Sequence, residues 1–128
     1  MTKTGAGATA QSILGSRGEE LAVKFLKAKG YAILARNFRT PVGEIDIVAR
    51  EAQTLVFVEV KTKEGSGFGT AKGAVDRHKQ RKVSMAALAY INLKGWTNRP
   101  ARFDVVAVDI TARGPQIDLY RNAFELAY

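Results

Sequence analysis

The spacing of apolar and polar residues changes character several times along the chain. Small or apolar residues recur at Gly18, Leu21, Ala22, Phe25 and Leu26, a helical period, and Gly30 supplies a stop signal. Ser16 followed by Glu19 has capping-box spacing, so a helix is predicted to start there. At Tyr31 the period becomes strand-like: YAILARNF, a turn at Pro41-Val42-Gly43, EIDIVAR, a tight connection at Glu51-Ala52-Gln53, then TLVFVEVK. Connections this short predict an antiparallel meander. LVFVEV is apolar at nearly every position, the pattern of a central strand buried on both faces. Residues 63–73 hold four glycines and no period, which predicts a flexible loop. Residues 74–93 form a second predicted helix, with Val83, Ala87, Tyr90 and Ile91 on one face and a basic first half. The stretch from Gly95 to Pro100 breaks it. RFDVVAVDI, a turn at Arg113-Gly114-Pro115, and QIDLY complete the order α-β-β-β-α-β-β. That is an α/β fold, a central sheet with helices packed on it. Residues 1–15 are small, polar and glycine-rich and are expected to be a mobile tail, leaving 16–128 as a single domain.

Composition narrows the function classes. The chain has 128 residues, no cysteine, one histidine and a formal charge of +8. Without cysteine there is no disulfide scaffold and no thiolate zinc site, and a reducing, cytoplasmic setting is expected. One histidine also removes multi-histidine metal sites. No apolar run approaches the length of a membrane helix, and the N-terminal residues lack the apolar core of a secretory signal. The positive charge suits a polyanionic partner, nucleic acid above all, although solubility alone could account for it.

The chemistry concentrates between Gly43 and Lys61. Alternate residues of a strand share a face. In EIDIV, Ile45 and Ile47 are expected on one face, with Glu44 and Asp46 on the other. Glu59 and Lys61 share a face with Leu55 and Phe57. If the two strands pair, Asp46 comes near Glu59 and Lys61. Two carboxylates can hold a hard divalent cation, and a lysine can orient water or steady a charged phosphate. A structural ion pair, with Lys61 neutralising either acid, would use the same residues. Glu19 falls about 60° from the centre of the first helix's buried stripe at 100° per residue, so it can reach the sheet as well as cap. Lys79, Arg81 and Lys82 on the second helix, and Lys72 in the glycine loop, are candidate phosphate contacts; a solvated charged face is the plain alternative. His78 stands alone. The loop lacks the spacing of a nucleotide-binding P-loop.

Gly18-Glu19-x-x-Ala22, Gly30-Tyr31, Asn37, Gly43-Glu44-Ile45-Asp46, Phe57-Val58-Glu59-Val60-Lys61-Thr62 and Arg102-Phe103-Asp104 together resemble the YraN-like family of small bacterial proteins. That family is grouped with the PD-(D/E)xK, restriction-endonuclease-like superfamily, and the pattern is similar to archaeal Holliday junction resolvases. The resemblance covers roughly residues 15–124. It implies a restriction-endonuclease-like core with a mixed sheet flanked by helices, and Mg²⁺-dependent (or Mn²⁺-dependent) endonuclease activity on DNA, with branched DNA suggested by the likeness to the resolvases. It makes Asp46, Glu59 and Lys61 the catalytic core and Glu19 an accessory acid. Metal ligands would be Asp46, Glu59, the Val60 carbonyl and Glu19. Ile45 stands where the superfamily's nominal motif has proline. The resemblance assigns no role to Glu44. Cutting both strands would call for a homodimer. A non-catalytic nucleic-acid-binding module on the same fold, and a protein-interaction adaptor, are the alternatives.

Overall fold

The computed structural model describes residues 9–65 and 75–126. The elements are α1 (Ala10–Ala28), β1 (Ala32–Thr40), β2 (Gly43–Glu51), β3 (Thr54–Glu64), α2 (Arg77–Lys94), β4 (Ala101–Thr111) and β5 (Gly114–Phe124). This is the order expected from the sequence. One five-stranded mixed sheet runs β1-β2-β3-β4-β5. The first three strands form the expected antiparallel meander, β3 and β4 are parallel, and β4 and β5 are antiparallel. The parallel step requires a crossover, and α2 supplies it.

The two helices cover opposite faces. Ala22, Val23 and Leu26 of α1 pack with Ile47, Ala49, Val56, Val58, Val106 and Val108. Val83, Ala86, Ala87 and Tyr90 of α2 pack with Ile45, Val48, Leu55, Phe57 and Phe103. Residues 55–59 are all buried, as the unbroken apolar run of a central strand requires. Trp96 lies against the α2-side core, and its indole N–H donates to the Pro100 carbonyl at 3.3 Å. No helix among the described residues is long and apolar enough to cross a membrane.

Both helix starts differ from the sequence expectation. Helix α1 begins six residues before Ser16, capped by Thr9, whose side chain accepts from the Ser12 backbone N–H while Ser12 Oγ accepts from the Thr9 backbone N–H. The capping box is therefore Thr9/Ser12, not Ser16/Glu19, and residues 10–15 belong to the helix rather than to a tail. Residues 10–14 have good helix formers, and Ile13 merely lacks a buried partner, being 59% exposed. Helix α2 starts at Arg77, because the Asp76 carboxylate accepts from the Lys79 N–H at 2.9 Å and fixes the N-cap. It ends at Gly95, in a left-handed conformation with φ +66°.

Candidate active site

Strand β2 breaks its own alternation at Asp46. Its ladder with β1 pairs Ile47 with Arg36 and Ile45 with Phe38, without a pair at Asp46 and Asn37 between them. Its ladder with β3 stops at Ile47–Val58. Asn37 sits at φ +52°, a left-handed conformation that asparagine tolerates better than most residues. Ile45 consequently joins the α2-side core and Ile47 the α1-side core, two residues apart. The expectation that they share a face is not met. The irregularity directs the Asp46 carboxylate to β3, where Oδ2 accepts from the Val60 backbone N–H at 2.8 Å.

Glu59 meets Asp46 there, as the pairing argument anticipated. It is 7% exposed, with Lys79 Nζ at 3.1 Å from Oε2, while Oε1 has no hydrogen-bond partner among the described residues. Burial, and after it the Asp46 charge, push the Glu59 carboxyl up to about 8, against the pull of Lys79. Burial also raises Asp46, although the Val60 N–H, Glu59 and Lys79 act the other way. Glu19 faces this corner from α1. Its Oε1 accepts from Asn37 Nδ2 at 3.2 Å and lies 3.9 Å from the Arg36 guanidinium. Burial, then the Asp46 charge, raise its carboxyl as well. Among the described residues no three of His, Cys, Asp and Glu already form a metal-holding group. Asp46 and Glu59 converge; Glu19 shares the field of Asp46 but is engaged by Asn37.

Two glycines set the helices on this corner. A Cβ at Gly18 would collide with the Thr62 side chain of β3, so the missing side chain lets α1 approach and brings Glu19 in. A Cβ at Gly43 would collide with the Lys82 backbone carbonyl, so the start of β2 touches the backbone of α2. Lys79 lies four residues before Val83 on the buried side of α2, and this close approach places its ammonium on Glu59.

The other sequence candidates divide. Lys61 is half-buried on β3 and follows Glu59 on the same side, level with Ala107 of β4. A lysine of α2, Lys79, pairs with Glu59. Arg81 and Lys82 are exposed on α2. Lys72 lies outside the described residues. Glu44 is exposed and pairs with Arg39 at 3.4 Å.

Sequence reasoning missed a second polar cluster. Asp104, fully buried, accepts four hydrogen bonds: from Tyr31 Oη, from Arg102 Nε and NH2, and from the Asn122 N–H. Arg102 also donates to Glu51, which takes a second guanidinium from Arg121 at 2.8 Å. The signal was an aspartate inside the apolar run FDVVAV, which demands internal partners. This cluster is satisfied and ties β2, β4 and β5 to Tyr31, just before β1.

Comparison with known proteins finds matches over most of the chain. A model of the uncharacterised protein family UPF0102 matches residues 18–108, a span that includes Glu19, Asp46, Glu59, Lys61, Lys79 and Asp104. A UPF0102 protein of Geobacter sulfurreducens is 50% identical over 125 residues, covering 97% of this chain and 98% of its own. A UPF0102 protein of Desulfosudis oleivorans is 47% identical over 111 residues, covering 87% of this chain and 89% of its own.

Proposed function

We propose that this chain, which belongs to the uncharacterised protein family UPF0102, is a divalent-metal-dependent nuclease of the PD-(D/E)xK, restriction-endonuclease-like kind. Its substrate in this reading is DNA, with branched DNA favoured by the likeness to junction resolvases, an argument from fold analogy. The carrying observation is the meeting of half-buried Asp46 with buried Glu59, whose Oε1 atom has no hydrogen-bond partner among the described residues. Two acids forced together out of water are costly unless a cation joins them. The donor set is all oxygen, which suits Mg²⁺ or Mn²⁺; Mg²⁺ commonly needs only one or two carboxylates, with water and substrate phosphate completing its shell.

Asp46 and Glu59 would hold the ion, with the Val60 carbonyl beside them and Glu19 within reach through water. Once bound, the ion supplies charge neutralisation at the phosphate and acidifies a water molecule. The chain's own residues supply the rest. The Val60 N–H fixes the Asp46 carboxylate. Lys61 would orient the attacking water, and Lys79, whose ammonium lies 3.1 Å from Glu59 Oε2, would hold a phosphate oxygen. Arg81, Lys82 and Lys72 contact the backbone of the polyanion. One such corner per chain cuts one strand, so cutting two strands uses a homodimer.

A second reading keeps the fold and the nucleic acid but not the reaction. The Lys79–Glu59 ion pair favours it, because it already gives one acid a cation. One set of measurements separates the two. Mg²⁺ or Mn²⁺ at about 100 times its Kd should stabilise the chain by about 2.7 kcal/mol, and Glu59→Gln should remove that gain. With either metal the wild type should nick a branched DNA, and Lys61→Ala should abolish nicking while DNA binding persists. Wild-type protein that binds DNA but cuts nothing with either metal defeats the nuclease reading.

A further inference from the structure

The outward face of α2 carries a feature that the carboxylate corner does not use. His78, Arg81, Lys82 and Met85 recur at i, i+3, i+4 and i+7 and all four are exposed. With Val42, from the turn between β1 and β2, they line a cavity of about 290 Å³. The close approach of Gly43 to the Lys82 carbonyl brings Val42 against the helix. Glu59's partner Lys79 adjoins His78 in sequence, so the cavity and the candidate active site both draw on the first turn of α2.

Its lining combines two chemistries. Arg81 and Lys82 are cationic, and no carboxylate lines the cavity. Val42 and Met85 are apolar yet 50% and 40% exposed. A phosphate backbone needs the cations but has no use for the apolar pair. The flat face of a nucleobase does, and the His78 imidazole can stack on it. In a duplex the base faces are covered by their neighbours, so only an unpaired nucleotide offers phosphate and base face together. We propose that this cavity is a subsite for one unpaired nucleotide of a single-stranded or flapped nucleic acid. Arg81 and Lys82 hold its phosphate, and Val42, Met85 and His78 cover its base. The inference rests on the reading above for its consequence, that the strand cut at Asp46 and Glu59 is one with an unpaired neighbour.

The test is binding by the full chain in EDTA, followed by fluorescence anisotropy, so that cleavage plays no part. The probes are a blunt DNA duplex, the same duplex with a single-stranded overhang, and that overhang made of RNA. The wild type should prefer the overhang duplex to the blunt one by roughly tenfold. Val42→Ser with Met85→Ser, both at exposed positions, should erase that preference while blunt-duplex affinity stays within about twofold. Arg81→Ser should weaken every probe and lower the salt slope by about one. Lys24→Ser on α1, outside the cavity, should leave the preference unchanged. The RNA arm tells whether the subsite takes ribose as well as deoxyribose. Equal binding of blunt and overhang duplexes, or a preference that survives the double serine variant, overturns the subsite but leaves the carboxylate reading standing. A preference that the double variant erases, in a wild type that cuts with neither metal, supports the subsite and defeats the nuclease.

Discussion

Replacing Asp46 by asparagine should change the stability of this protein in a pH-dependent way, against the usual expectation for a buried residue. Glu59 titrates near its ordinary 4.5 in the unfolded chain and at about 8 in the fold. Between those values the folded protein keeps a proton that the unfolded chain has released. Stability therefore falls as pH rises from about 4.5 to about 8, then levels off. A difference of that size corresponds to at most about 5 kcal/mol. Burial is its largest cause and would persist in the variant. The Asp46 charge is the second, and removing it should return on the order of 1–2 kcal/mol at about pH 9. The amide oxygen can still accept from the Val60 N–H, but as a neutral acceptor it is weaker. At about pH 5, where Glu59 is protonated in the fold, Asp46→Asn should therefore be neutral or destabilising by about 0.5–1 kcal/mol. Urea unfolding in EDTA, followed by Trp96 fluorescence at the two pH values, measures both. The variant should cross from no more stable than wild type at the lower pH to more stable at the higher. A deficit of the same size at both would refute the argument, since Asp46 would then be only a hydrogen-bond acceptor unseen by Glu59.

Two packing substitutions and one electrostatic one follow from the same structure. Gly43→Ala drives a methyl into the backbone carbonyl of Lys82, which cannot rotate away, and should cost about 1–3 kcal/mol or more in urea unfolding. Gly18→Ala meets mainly the Thr62 side chain and gains up to about 1 kcal/mol of helix propensity, so its net cost should be smaller; a larger cost would contradict this account. Arg102→Met leaves Asp104 buried without its guanidinium and should cost about 3–5 kcal/mol, read as a fall in thermal midpoint without change in metal response.

The order of elements, the central position of β3 and the meeting of Asp46 with Glu59 were all legible in the sequence. Each depends on period and on short connections, which are local. The break at Asp46 was not legible, because strict alternation is assumed until a residue such as Asn37 adopts a left-handed backbone. The start of α1 was missed for a related reason: Thr9 and Ser12 cap reciprocally without the glutamate that usually signals the box. The role of Lys79 escaped because it depends on the docking of α2, fixed by Gly43 from more than thirty residues away in the chain. The Asp104 cluster draws on three strands and the Tyr31 side chain, and no single stretch of sequence contains it.

Of the three buried acids on the adjacent strands β3 and β4, Asp104 and Glu59 make the sharpest contrast. Asp104 lies fully inside the protein and takes four hydrogen bonds, three of them from groups of Tyr31 and Arg102. Its neighbourhood lowers the cost of burial as far as the fold can, and the result is structural. Glu59 is nearly as deep, yet it has one lysine, an oxygen without a hydrogen-bond partner among the described residues, and a second acid beside it that raises its affinity for a proton. An apolar residue between Val58 and Val60 would pack in that strand at no such cost. The fold also leaves Asp109 Oδ1 on β4 without a hydrogen-bond partner among the described residues, so an orphaned oxygen alone marks no site; what sets Glu59 apart is the second acid beside it. That pairing is what the proposed metal site would require, with the cation coming from outside the chain.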